Sequence, residues 1–190
     1  MNRELILDAS AQIIRQKGYH AASMQDIAKA VNLQKASLYH HFSSKQEILL
    51  ALLDQALDLL IERVSAVLAE DLPADEKLCQ AMRAYLGCLD EHAALASVLL
   101  FEHRSLNPQY HDRHIPRRDR FERLWRDLIQ EGMQSGVFHA ADPAMTARAL
   151  LGVMNWTVTW YRPDGQYSSG QISDQFAILF LDGLRSAENG

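Results

Sequence analysis

Apolar residues recur three and four positions apart along almost the whole chain, and strand signals are scarce, so the pattern predicts an all-α protein. A first helix is expected over about residues 3–17, with Leu5, Ile6, Ala9 and Ile13 as its apolar positions and Gly18 as its stop. Ser23 stands three residues before Asp26, the spacing of a capping box, and opens a short second helix. A third is expected at about 34–41. Ser44 and Glu47 repeat the capping-box spacing ahead of a long helix over about 44–69. Pro73 breaks the chain, and helices at about 74–91 and 93–105 follow, then a loop over 106–116. The seventh helix is expected at about 117–135, ending at Gly136. Asp142 and Pro143 are a cap and a first helical residue, and they start an eighth helix that runs to about Arg162. Pro163-Asp164-Gly165 stops it, and a last helix covers about 171–186. Nine helices are expected in all, without internal repeats or low-complexity segments.

Residues 27–42 carry the most informative pattern. Ile27, Ala28, Val31, Leu33, Leu38 and Phe42 make a small shared core for two short crossed helices, with Ala28 small where the second helix must come close. Asn32 falls in the turn, where a left-handed residue is needed and Asn is better tolerated than most. Gln34, Lys35, Ser37, Tyr39 and His40 are then the outward positions of the second helix. Their hydrogen-bonding and cationic groups suit base edges and phosphates in a major groove. On spacing alone the same residues also fit a helical pair that merely packs.

Charge sharpens the picture. The chain of 190 residues has a net charge of -5, which is unusual for a nucleic-acid binder taken whole. Residues 1–48 hold Arg3, Arg15, Lys17, Lys29, Lys35 and Lys45 against Glu4, Asp8, Asp26 and Glu47, a balance of +2, leaving -7 for the rest. His20, His40 and His41 add to that basic head, and a basic head on an acidic body suits a protein whose head alone meets phosphate. An apolar fraction of 48% supports a real core. No apolar run approaches the ~18 residues of a membrane span, so a soluble, cytoplasmic protein with no membrane partner is expected. Cys79 and Cys88 lie about 180° apart on one helix and are expected to be reduced thiols in or near the core.

The stretch resembles the DNA-binding domain of the TetR family of repressors, whose pattern is close to Ile-Ala-x-x-Ala-Gly-Val-Ser-x-Gly-Thr-Leu-Tyr-x-His-Phe-x-x-Lys. Ile27, Ala28, Leu38, Tyr39, His41, Phe42 and Lys45 fall on matching positions, while Asn32, Gln34 and Ala36 replace Gly, Ser and Gly. The resemblance implies a three-helix helix-turn-helix domain at 1–47, joined by a long helix to a ligand-binding and dimerisation domain at 48–190. It implies double-stranded DNA, a second copy of the chain and a small-molecule effector as partners, and no enzymatic activity. Ser23, Gln34, Lys35, Ser37, Tyr39, His40 and Lys45 become the DNA contacts. Gln34 and Lys35 are expected to read bases, and Tyr39 and Lys45 to hold phosphates, with Lys45 near a helix amino end. His41 is expected to be at least half buried, and Lys29 to be a solvated charge.

In the body, the helix over 142–162 is apolar on more than one side, and so is expected to be buried on more than one side. The last helix, with Ile172, Phe176, Leu179, Phe180 and Leu184, points with it to a partner surface; a large single-chain core explains both as well. Arg148, Asn155, Thr159 and Arg162 fall within about 60° of one another at ~100° per residue. They serve either as a solvent edge or salt-bridge row, or, with Trp156, as the polar anchor of a ligand. The tract Asn155 to Gly165 and the stretches Phe101–Arg104 and Arg117–Phe121 are similar to a TetR subgroup that regulates fatty-acid or steroid degradation and commonly responds to acyl-CoA thioesters. Such an effector needs an apolar cavity plus cations for its phosphates, which Arg117, Arg120, Arg148 and Arg162 supply. No cofactor is expected. Neither a glycine-rich phosphate loop nor a nucleophile motif is present, and His111-x-x-His114 lacks acidic or thiol partners at metal-ligand spacing. The reading is a ligand-responsive repressor; the alternative is a small-molecule carrier of the same fold that does not read DNA.

Overall fold

The computed structural model describes residues 3–139 and 141–184. Its described residues form helices α1 (Arg3–Lys17), α2 (Met24–Ala30), α3 (Lys35–Tyr39), α4 (Lys45–Leu68), α5 (Ala74–Glu91), α6 (Ala93–Ser97), α7 (His111–Gln134), α8 (Pro143–Trp160) and α9 (Ser169–Leu184). No single described helix is long and apolar enough to cross a membrane. The chain divides into two compact units. One comprises the residues up to Asp58 with His92–Arg117, the other Leu59–Glu91 with the described residues from Arg118 on.

In the first unit, α1 packs against α2 and α6. Its buried face is Ile6, Leu7, Ser10, Ala11 and Ile14, one position round from the expected stripe, so Leu5 is exposed. Ser10 belongs there because its hydroxyl donates to the Ile6 carbonyl at 2.6 Å and so is not itself left unpaired. Ile27, Ala28, Leu38, Phe42, Ile48 and Leu49 have almost no exposure either. Burying each such large aliphatic side chain contributes about 1.5–3 kcal/mol.

The second unit is built on α5 packed along α9, with Leu78, Met82, Tyr85, Trp125, Ile129, Leu150 and Met154 in its core. Cys88 is buried and Cys79 half-buried on α5, and neither forms a disulfide. Asp142 caps α8 as its Asp-Pro start predicts, accepting the amides of Ala144 and Met145 at 2.8 and 3.0 Å.

Two expectations fail between 93 and 117. Instead of one helix to 105, α6 covers five residues, widens into a π turn at Val98–Glu102 and tightens into a 3-10 turn at His103–Ser105. The loop expected over 106–116 is mostly helical: a 3-10 turn at Pro108–Tyr110, then α7 from His111 with Pro116 inside it. A proline there leaves the carbonyl four residues earlier, on exposed Asp112, without its helical donor. The helix persists because tertiary bonds hold it on both sides of Pro116. His114 lies 3.3 Å from Asp54, and Arg117 pairs with Asp54 and Asp58 at 3.0 and 2.7 Å.

Candidate nucleic-acid interface

Ser23 has extended backbone (φ -114°, ψ 155°) and begins α2 through the full capping box, its side chain taking the Asp26 amide while Asp26 takes that of Ser23. The Asp26 carboxyl is held well below the usual carboxylate range, chiefly by the Ser23 hydroxyl and then by Lys17 at 2.9 Å. The turn into α3 passes through Asn32, at φ 54° the one described non-glycine residue with positive φ, as its place in the sequence predicts. Leu38, wholly buried, pins α3 to the core, and Gln34, Lys35, Tyr39 and His40 stand exposed around it, with Ser37 half-buried.

Several details differ from expectation. Helix α3 covers only Lys35–Tyr39, and Gln34 stands at its start without a side-chain capping bond. Because α3 ends at Tyr39, His41 lies in the following turn and is exposed, where half burial was expected. At the start of α4 the Ser44 hydroxyl accepts the Glu47 amide at 3.2 Å, but the Glu47 carboxylate reaches back to the amide of Ser43, at 2.8 Å, instead of Ser44.

Lys45 is engaged within the protein. Its ammonium donates to the carbonyls of Tyr19 and Ala22, both at 2.8 Å, and to that of His20 at 3.4 Å, while lying 4.4 Å from the centre of the Tyr19 ring. Three donors meet three acceptors, so the first work of Lys45 is to close the turn between α1 and α2.

Of the polar set, Arg148, Asn155 and Thr159 lie within α8 on one side of it but take different partners, and Arg162 lies outside the helix. Asn155 is half-buried and accepts the Tyr85 hydroxyl, whereas Arg148 is exposed and pairs with Glu122 at 3.4 Å. Thr159 spends its hydroxyl on the Trp156 carbonyl at 2.7 Å. Arg162 lies beyond the end of α8 on extended backbone that begins at Tyr161, so the helical phase that aligned it with the others does not reach it. Trp156 is 66% exposed. It belongs to a continuous stripe of exposed apolar residues, Met145, Ala149, Gly152, Val153, Trp156 and Trp160, about 100° wide on the helix. Ile178 and Leu179 on α9 are exposed as well.

Of the expected cations, Arg117 is tied to Asp54 and Asp58, and Arg120 is exposed. Sequence reasoning missed the aromatic cluster behind Asn155. Tyr85 stacks on Phe121 at 5.8 Å and meets Trp125 edge-on at 5.9 Å, and the Trp125 indole nitrogen is buried without a partner. The helical spacing of Leu78, Met82, Tyr85 and Leu89 is the signal that places Tyr85 inward. An open cleft of about 590 Å³ between the end of α8 and the start of α9 is lined by Trp160, Tyr167, Gln171, Ile172 and Phe176 among others, none of them an expected ligand residue. Among the described residues no three His, Cys, Asp or Glu side chains gather as a metal site.

Two family models match this architecture: the bacterial regulatory proteins of the tetR family over residues 6–52, and the tetracyclin repressor-like C-terminal domain over residues 71–184. The chain therefore belongs to the TetR family, and is a helix-turn-helix DNA-binding transcriptional regulator rather than an enzyme. Among solved structures it is similar to the TetR family transcriptional regulator PfmR from Thermus thermophilus, with TM-score 0.87 and 36% identity, covering 95% of this chain and 99% of that one. The structure of AibR in complex with isovaleryl coenzyme A and operator DNA matches with TM-score 0.86 and 28% identity over 93% and 96% of the two chains. The transcriptional repressor KstR2 of Mycobacterium tuberculosis is 28% identical over 181 residues, 94% of this chain and 90% of that protein.

Proposed function

We propose that this chain is a repressor that binds a two-fold symmetric operator as a homodimer and is released by a small hydrophobic or acyl-CoA-type effector. The observation that carries the reading is α3 itself, fixed from beneath by fully buried Leu38 and presenting Gln34, Lys35, Tyr39 and His40 outward. Residues 1–47 are the DNA-reading head. Ser23, Gln34, Lys35, Ser37, Tyr39 and His40 are its candidate contacts, Lys45 closes the turn that presents them, and residues 48–190 bind the effector and the second copy. The exposed apolar stripe of α8, with Ile178 and Leu179 of α9, supports the dimer, since a solvated stripe of that width is costly unless covered. Dimerisation sets two recognition helices about one DNA turn apart, roughly 34 Å. The effector releases DNA by binding the DNA-incompetent arrangement more tightly than the competent one.

The acyl-CoA class is supported by AibR, whose complex contains isovaleryl coenzyme A. Here Asn155, Trp156 and Thr159 are the candidate ligand residues on α8, and exposed Arg148, Arg162 and Arg120 the candidate cations for the coenzyme phosphates. Footprinting of the DNA upstream of the chain's own gene is expected to show a protected two-fold symmetric site that isovaleryl-CoA, a longer acyl-CoA or a steroid-CoA thioester abolishes. Weak binding that ignores sequence would overturn the repressor reading. A melting temperature unmoved by every thioester in that panel would overturn the effector class.

A further inference from the structure

The path from α6 to α7 changes helical register twice within eight residues, from the π turn at Val98–Glu102 to the 3-10 turn at His103–Ser105. Such π turns are rare overall and frequent at functional sites. Here the turn ends at Glu102. Its carboxylate accepts the backbone amide of Tyr19 at 3.1 Å, across 83 positions of sequence. Tyr19 follows Gly18, whose φ of 78° ends α1. Its amide is the one that a Schellman ending would return to a carbonyl of that helix. In this chain Glu102 takes it instead.

Gln46, on the first turn of α4, ties the same parts together. Its amide nitrogen donates to the Tyr19 hydroxyl at 2.7 Å and to the Ser105 carbonyl at 2.8 Å, and its oxygen accepts the Asn107 amide at 2.7 Å. Four residues beyond Tyr19 stands Ser23, which caps α2. The turn that aims the first helix of the reading pair is thus bonded to the π and 3-10 segment by two side chains.

We propose that Glu102 and Gln46 are positioning residues for DNA reading, with the π turn at Val98–Glu102 aiming Glu102 at the Tyr19 amide. In the π register Glu102 holds the Tyr19 amide and the turn before Ser23 is fixed. Without the bonds of Glu102 and Gln46 the turn loosens and the reading helices lose their placement. The inference rests on the DNA-reading function proposed above.

The test uses the full-length protein, a duplex selected by the wild type from a random-sequence pool, and amide hydrogen exchange in the absence of DNA. In Glu102→Ala and Gln46→Ala, exchange is expected to quicken at residues 18–22 while α5 and α9 keep their protection. Operator affinity should fall roughly tenfold, as for one lost hydrogen bond to a charged group. Glu102→Gln keeps an acceptor oxygen and should restore both readouts. Faster exchange spread evenly over α5 and α9 would mean general destabilisation and would overturn the positioning role. So would unchanged exchange at 18–22, or operator affinity within twofold of wild type in both alanine variants. Failure of the wild type to select any duplex would sink the DNA-reading function itself, whereas the exchange measurement still decides whether the clasp exists.

Discussion

Ser23 and Asp26 satisfy each other twice: the Asp26 amide donates to the Ser23 hydroxyl oxygen at 3.1 Å, and the Ser23 amide donates to the Asp26 carboxylate at 3.0 Å. The Ser23 hydroxyl adds a third bond to the same carboxylate at 2.7 Å. The two bonds to the carboxylate are strongest when Asp26 is ionised. Its carboxyl titrates well below the usual range in the folded protein, mainly because of Ser23 and Lys17, and near 4 in the unfolded chain. A depressed folded value contributes stability above the unfolded value and loses it as pH falls toward the folded one. Wild type should therefore melt higher than Asp26→Asn by a constant margin from pH 7 to about 5, and the margin should close below about 4. Because Asp26 is at the surface, the margin should be small and should shrink with salt. A margin that widened on acidification would refute this account of the cap.

Tyr85 and Asn155 make the corresponding case in the second unit. The phenol is wholly buried, which pushes its ionisation far up and keeps it a neutral donor, and the Asn155 side-chain oxygen is its acceptor. Tyr85→Phe leaves that oxygen unpaired at a half-buried position, and the expected loss is about 1–2 kcal/mol. Tyr85→Phe combined with Asn155→Leu should recover part of it, since replacing both partners with apolar groups removes the orphan. Urea unfolding at one fixed protein concentration measures both. A single variant as stable as wild type would show that the bond contributes nothing.

The apolar stripe of α8 makes a prediction about assembly. Trp156→Asp places a charge at the middle of the stripe, where Trp156 is 66% exposed in the single chain. Folding of the chain should be little affected, because no core residue is touched. The dimer should weaken strongly, since an unpaired charge buried at an interface is costly. Sedimentation is expected to show a monomer with an unchanged far-UV spectrum, and operator binding should drop with it. A dimer that persisted in Trp156→Asp would move the interface elsewhere.

How much of this was legible in the chain depended on the range of the interaction. Asn32 in the left-handed turn, Ser23 with Asp26, and Asp142 ahead of Pro143 are decided within three or four residues, and each stands where its sequence signal placed it. The 93–117 region was misjudged for the opposite reason. Pro116 reads locally as a breaker, but Asp54 and Asp58 hold the residues around it in a helix from a distance of about sixty positions in sequence. The π turn is likewise invisible without Tyr19 as the distant partner of Glu102. On α8, helical phase put Arg148 and Asn155 on one side, yet it carries no information on what packs there. Asn155 meets Tyr85 and Arg148 meets Glu122 on that side, and the helix end at Trp160 removes Arg162 from the phase. His41 went wrong by two residues of helix length.

Lys35 and Lys45 are both lysines of the proposed DNA-reading head, and their surroundings differ. Lys35 is exposed on α3, whereas Lys45 has its ammonium on the carbonyls of Tyr19, His20 and Ala22. Lys35→Ala should leave stability unchanged. If Lys35 reads a base, about 1–3 kcal/mol of affinity is lost at one position of each half-site and preference relaxes there. If it holds a phosphate, the loss is uniform across sequences and the salt dependence falls by about one unit per protomer. Lys45→Ala should instead lower the melting temperature, because three carbonyls lose their donor and the turn before Ser23 opens. Operator affinity should fall with it, while the salt slope of the remaining binding stays close to that of wild type, as no phosphate contact has been deleted. Titrations at several salt concentrations, paired with melting curves, separate the cases. A Lys45→Ala protein of native stability with a reduced salt slope would return Lys45 to the phosphates and show that its carbonyl bonds give way on DNA.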